Sequence, residues 1–564
     1  MSELSEKRQD ELLSALDKLG DGSKFLWLVF TLTLTPTVFN GLQSMSYVFT
    51  TEIPPYWCTV PELVSANWTS EEIRRISSAG ECIMYNYDYK YLARLGYEEA
   101  VKYVEDLSER PGSSSCSSFI FGDVGRSTVV QEWDLVCTRA ADRANTFMAF
   151  SLGKLMGSGI FGVYADKSGR RRTFIIGIIL QILSGPASAL VPWFWGYMGL
   201  RWITGLSSAA VGYSSLTILT EVSGSRHRQW LGIAFNAGYP IGTAILAGLA
   251  YQFRDWRNLQ MAISLGSLLL IIHACLMPES PRWLITQNRR EEARKIIEKY
   301  YGPVPTTPVP MSMSSDQRNN KQNGIHEEKK ENFIQRNMKS LRILFSNSEL
   351  RKRLIIMYLS WLTSSLSYYA IALNADNFTD NHYLYVLIMG FTEIPAYIIP
   401  SIILMFLGRR AAGSLLYILG AVCLLCILAI PQDLTGAIMG VALTGRFTLS
   451  AVYGIVILYT SELFPTVARN SAVGTSCVMA HVGTIIAPYV SDLLGSVAWW
   501  APSTICGSLA LVSGILCLGL PETRGRGLAD TVEEETGEGR ENTSFKKCFP
   551  FYSGNKEFQP SSNN

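Results

Sequence analysis

Apolar runs of about twenty residues, the length needed to cross a lipid bilayer, recur along almost the whole chain. Short charged loops stand between them, and the densest is GVYADKSGRRR, Gly162 to Arg172. A loop that holds Asp166, Lys167, Arg170, Arg171 and Arg172 between two spans stays in water, because charges in hydrocarbon are costly. By the positive-inside bias, that water is the cytoplasm. Composition agrees with a polytopic membrane protein: of 564 residues 48% are hydrophobic and only 17% charged, against ~25% charged in soluble proteins. A net charge of +2 gives no reason to expect nucleic acid as a partner.

Taken in order, residues 1–24 form a cytoplasmic segment in which Leu12, Leu13, Leu16 and Leu19 share one helical face and Gly20 suits the helix end. No cleavable signal peptide is expected, since the first apolar run has the length of a span. Six spans are expected near 25–48, 144–164, 173–193, 196–220, 229–250 and 258–277, forming an N-terminal half over 25–278. A central cytoplasmic loop, 279–353, opens with a charged amphipathic helix and continues into a flexible low-complexity linker to about Gly324. Six more spans, near 354–375, 383–406, 411–430, 434–460, 470–492 and 500–520, make a C-terminal half over 354–520. A charged cytoplasmic tail follows over 521–564. The fold class is thus an all-α membrane protein of twelve helices in two halves.

The polar stretch 51–143 reads as a large extracellular loop. Asn67-Trp68-Thr69 is a glycosylation acceptor. Cys58, Cys82, Cys116 and Cys137, placed in an oxidising compartment, can form two disulfides in any of three pairings. The other seven cysteines lie in spans or tail and show no metal-site spacing. Short loops assigned to the inside hold nine Lys and Arg, those assigned outside only Arg254 and Arg257.

The two halves carry repeated markers. Gly169-Arg170-Arg171 recurs as Gly408-Arg409-Arg410, Glu221 as Glu462, and Pro278-Glu279 as Pro521-Glu522, at offsets of 239, 241 and 243. Such duplication is the plan of an alternating-access carrier with its site at mid-membrane.

Five stretches together resemble a specific family: VVQEWDLVC (Val129 to Cys137), GVYADKSGRR, PESPRWL (Pro278 to Leu284), SELFPTVARN (Ser461 to Asn470) and PETRGRGL (Pro521 to Leu528). They are similar to motifs of the organic cation, zwitterion and carnitine transporters, with their organic anion relatives, of the major facilitator superfamily. The resemblance implies a plasma-membrane, multi-pass carrier with both termini cytoplasmic, moving small organic ions without chemistry on them. No cofactor or metal is expected; the partners are a small organic ion and the bilayer, and the sequence names neither coupling ion nor direction of flux.

Charge suggests roles. Asp166, Arg170, Arg171, Glu221, Arg226, Glu462 and Arg469 stand at cytoplasmic helix ends, where ion pairs can act as a gate; exposure to water as topology determinants is the alternative. Lys154, Glu393, Arg446 and His481 lie near mid-depth and are the substrate candidates. Asn40 and Gln43 are divided between helix packing and substrate contact. By the resemblance, cation transporters carry Asp where this chain has His481 and another where it has Ser364, anion and carnitine members carry Arg at His481, and Glu393 matches an acidic cation-transporter position. The reading is a carrier of small organic cations or zwitterions, such as amines, betaines, carnitine-like compounds or small amino acids. Its sharp form is a zwitterion site, with Glu393 facing an ammonium, Lys154 and either a protonated or a neutral, hydrogen-bonded His481 facing a carboxylate, and Trp361 and Tyr368 stacking on the cation. A Glu393–Arg446 pair would take the acidic pole away and favour organic anions. A ligand sensor without flux is the remaining reading; no phosphate loop, nucleophile elbow or metal cluster suggests an enzyme.

Overall fold

The computed structural model describes residues 12, 14–107, 109–123, 125–301, 333–379 and 381–524. Leu13, the low-complexity linker and residues 525–564 lie outside them.

Among the described residues ten helices are long and apolar enough to cross a membrane: α1 (Lys24–Thr50), α2 (Cys137–Ser168), α3 (Arg170–Leu190), α5 (Arg226–Gln252), α6 (Trp256–Leu276), α7 (Ser348–Leu373), α8 (His382–Phe406), α9 (Arg409–Ala429), α10 (Thr435–Leu463) and α11 (Ala468–Val497). The Gly- and Ser-rich α4 (Phe194–Val222) and the shorter α12 (Ala501–Cys517) complete twelve. Small residues let α2 and α4 touch. A Cβ on Gly205 would lie 2.0 Å from the Phe150 carbonyl oxygen, and one on Gly153 2.1 Å from that of Trp202. Without a hydrophobic drive between helices in lipid, such close backbone contact is what holds them together.

The repeated markers prove to be a repeated joint. Gly169 closes α2 at φ +105°, a conformation that favours glycine. Glu279 then accepts the backbone N–H groups of Arg170 and Arg171 at the start of α3, at 3.0 and 3.2 Å. Glu522 accepts those of Arg409 and Arg410 at the start of α9, at 2.8 and 3.2 Å. A carboxylate is well placed at a helix N-terminus, where N–H groups lack partners and the dipole is positive.

The loop between α1 and α2 is a small domain of its own. Strand β1 (Tyr56–Cys58) pairs antiparallel with β5 (Phe119–Phe121), and β2 (Ser78–Gly80), β3 (Ile83–Tyr85) and β4 (Ser113–Ser115) form a second antiparallel sheet. Trp57, Leu63, Ile73, Ile76 and Leu92 fill its core. Of the three possible pairings the structure forms Cys58–Cys116 and Cys82–Cys137, the latter tying the domain to the start of α2. Asn67 is exposed in this domain.

On the opposite side the N-terminal helix tucks Leu16 and Leu19 into the core, and the Gly20 carbonyl accepts from Gly224 at 3.1 Å. The PESPRWL stretch becomes a short helix, Pro281–Thr286, capped by Ser280; the charged helix Arg290–Tyr301 follows.

Candidate functional site

A cavity of about 290 Å³ sits at mid-depth between the first six helices and the last six. Eight helices line it: α1, α2, α4 and α5 from one set, α7, α8, α10 and α11 from the other. It carries six tyrosines, Tyr213, Tyr239, Tyr368, Tyr369, Tyr397 and Tyr453, together with Asn40, Asn236, several Ser and Thr, Lys154 and His481. Lys154 is the one Lys, Arg, Asp or Glu among the described lining residues. Its ammonium lies 3.4 Å from the Asn40 side-chain oxygen and 5.6 Å from the Phe150 ring centre, without a carboxylate partner among the described residues.

The acidic candidate stands behind the wall. Glu393 is buried, and both its oxygens are occupied: Arg446 donates at 3.0 Å, Tyr368 at 2.6 Å and Tyr397 at 2.8 Å. The Arg446 guanidinium also lies 4.2 Å from the Tyr368 ring centre. This is the Glu393–Arg446 pair that the sequence reading set against the zwitterion site. Glu393 reaches the cavity only through two tyrosine hydroxyls, and as a buried charge it has the partners that make burial tolerable.

The remaining candidates divide. Asn40, Lys154, Tyr368 and His481 line the cavity, and Lys154 and His481 do so from facing helices, α2 and α11. Gln43 does not; it accepts from the Gln260 side chain at 3.1 Å, and its carbonyl from buried Arg201 at 3.3 Å. Trp361 is buried, donating to Thr460 at 2.9 Å behind Tyr453. Ser364 is equally buried, bonded to the Tyr417 hydroxyl at 2.7 Å.

The charged groups at the far ends pair within each set of six. Arg170 binds Asp166 at 3.1 Å and Glu221 at 3.0 Å. Arg409, rather than Arg469, binds Glu462 at 3.0 Å, and Thr523 donates to the same carboxylate at 2.6 Å. Arg171 contributes its backbone N–H to Glu279, Arg226 is exposed, and Arg469 donates to Thr466 at 3.4 Å. Among the described residues, ion pairs that join the two sets stand on the side of the disulfide-bonded domain, and sequence reading passed over them. Counting only positive charge in loops hides carboxylates and a histidine at span ends. Five cavity tyrosines were likewise missed, because nothing in an apolar span tells an inward-facing tyrosine from a packed one.

Twelve helices in two sets around one central, tyrosine-rich cavity define a membrane transporter of the major facilitator fold. The chain belongs to the sugar (and other) transporter family, whose model matches residues 76–534. It is 30% identical over 535 residues to the organic cation transporter protein of Drosophila melanogaster, covering 93% of this chain and 94% of that one. It is 34% identical to human solute carrier family 22 member 13 over 72% of this chain and 70% of the relative, and 28% identical to organic anion transporter 3 of Sus scrofa over 92% of each. The resemblance read from the five motifs is borne out. The xylose transporter XylE from E. coli, in a partially occluded inward open conformation, aligns over 90% of this chain and 100% of its own at a TM-score of 0.58 and 15% identity, a likeness of fold. As a member of this family the chain moves a small organic solute across a bilayer and is not an enzyme.

Proposed function

We propose that the protein carries small organic ions that bear a carboxylate, zwitterions before simple anions. The observation that supports this is the charge of the cavity: Lys154 alone among aromatic rings and hydroxyls. A carboxylate neutralises that ammonium, whereas a plain cation meets it as a like charge. Aromatic faces suit a quaternary or primary ammonium at the other end of the same molecule. Tyr397 donates a hydrogen bond to Glu393, which makes its ring richer in electrons, whereas the Tyr368 ring already carries the Arg446 guanidinium. Organic anions are the second reading, favoured by the full engagement of Glu393.

We further place the carrier in the plasma membrane with both termini cytoplasmic. The disulfides and exposed Asn67 of the domain between α1 and α2 support an outer face for it. The units 25–278 and 354–520 serve as the two moving halves. Asp166, Arg170, Arg171, Glu221 and Glu462 brace each half at its inner end rather than latch one half to the other.

The test is uptake by expressing cells of three labelled probes: a betaine-type zwitterion, an aromatic carboxylate and a permanent organic cation. Uptake of the zwitterion above the other two is the expected result. Uptake of the cation alone would overturn the reading, and uptake of the aromatic carboxylate alone would replace it with the second.

A further inference from the structure

The two sets of helices are joined, on the side of the disulfide-bonded domain, by a nearly buried cluster of charge. From the first set come Tyr47 and Glu52 at the end of α1, Arg126 from the domain and Arg143 of α2; from the second come Asp376, His382 and Tyr383 around the start of α8, and Asp492 of α11. Arg143 reaches Asp376 at 2.6 Å and Asp492 at 3.7 Å, and Tyr47 donates to Asp492. Arg126 lies 3.8 Å from Glu52 and donates to the Tyr383 hydroxyl at 2.8 Å; Tyr251 of α5 packs edge-on against that ring. The side chains of Arg126, Arg143 and Asp492 are only 4, 6 and 4% exposed. On the same helix as Arg143, Lys154 lies about three turns deeper, ~16 Å at 1.5 Å per residue, so the cluster stands between the cavity and that side of the membrane.

His382 holds a peculiar place in it. Its Nδ1 is 3.2 Å from Glu52, on the first set, and its Nε2 is 3.4 Å from Asp376, on its own. A neutral imidazole has one N–H and one lone pair, so one of those contacts would set a lone pair against a carboxylate; the protonated ring donates to both. The charge balance says the same. Two guanidinium groups face three carboxylates, which leaves one negative charge, and a proton on His382 cancels it. Glu52, beyond the end of the span, titrates below the ordinary carboxylate range: burial pushes it up, and His382, Arg126 and Arg143 outweigh that. It therefore stays ionised where histidine titrates.

We propose that His382 is a proton-operated lock on this side of the carrier, the protonated ring bridging Glu52 of one half and Asp376 of the other. Rocking open separates His382 from Glu52, so the sealed arrangement holds the proton more tightly than the open one. Linkage gives the sign: acid favours the sealed state, and sealing weakens as pH rises through the histidine range. Each transport cycle then has to break a contact whose strength the solution sets, which makes the rate of opening on this face pH-dependent. The lock depends neither on the substrate nor on which side of the cell this face meets.

Hydrogen exchange of the full-length protein in nanodiscs, corrected for the intrinsic effect of pH on amide exchange, tests it. The segments to follow are 46–52 and 374–385, which carry the lock. In the wild type their exchange should rise about tenfold, the equivalent of one pK unit, between about pH 5.5 and pH 8, the window in which histidine changes charge. His382→Gln should exchange fast at both values. His382→Arg, which keeps a positive charge and two donors, should stay protected at both, an outcome that a merely space-filling histidine would not give. Wild-type protection that ignores pH, or a pH response that survives in either variant, would overturn the proposal.

Discussion

Lys154 and Glu393 show how differently two mid-membrane charges can be used. Lys154 faces the cavity beside Asn40, whereas Glu393 is covered by Arg446 and two tyrosines. Removing Glu393 strands a guanidinium whose side chain is 2% exposed. Breaking a buried pair from one side costs ~3–5 kcal/mol, while replacing both partners by apolar groups can be neutral. Glu393→Gln is therefore expected to lower the thermal unfolding midpoint and the yield of folded protein, and Glu393→Gln with Arg446→Met to recover much of both. Equal losses in the single and double variants would show that the pair is not what Glu393 is for. The sequence marked both residues by their depth, and it could pose the Glu393–Arg446 pairing as an alternative. Which helix faces bring Lys154 to a cavity and Glu393 to its neighbour are packing facts with no local signature.

At the scale of the element, contact distances decide which glycines matter. A Cβ at Gly205 would overlap the Phe150 carbonyl, but one at Gly159 on the same helix pair would meet nothing within 4 Å. Gly205→Ala should cost about 1–3 kcal/mol as overpacking and Gly159→Ala almost nothing, as read by detergent-solubilised melting of the two variants side by side. In the small β-containing domain, Cys82→Ser would release the start of α2 and leave Cys137 unpaired. A loss of ~2–5 kcal/mol, usual for such a bridge, should appear as protease sensitivity within 51–143 while the membrane helices stay resistant. Two matched glutamates, Glu279 and Glu522, were legible in sequence as markers of duplication because each half repeats them at nearly the same offset, although the helix starts they cap lie 109 and 113 residues away. The strands of the domain were not, since each is three residues long and its order comes from a core of residues spread from Trp57 to Ala100.

At the scale of the whole molecule, apolar run length was enough for twelve helices and the repeated markers for two halves, as bilayer thickness leaves a chain of this kind few choices. What they could not show is where the halves meet. Among the described residues the charged contacts between them gather on the side of the disulfide-bonded domain, and the pairs at the other end brace each half internally. Between these layers lies the cavity, and Lys154 is the one Lys, Arg, Asp or Glu among its described lining residues. Counterflow of a labelled betaine-type zwitterion into proteoliposomes, comparing wild type with Lys154→Ala at matched protein, tests the role of that charge most directly, with the methyl ester of the same compound as control. Loss of roughly tenfold or more in zwitterion counterflow, about 1.4 kcal/mol, with the ester spared or improved, is the predicted result. Unchanged zwitterion counterflow in Lys154→Ala would contradict the account.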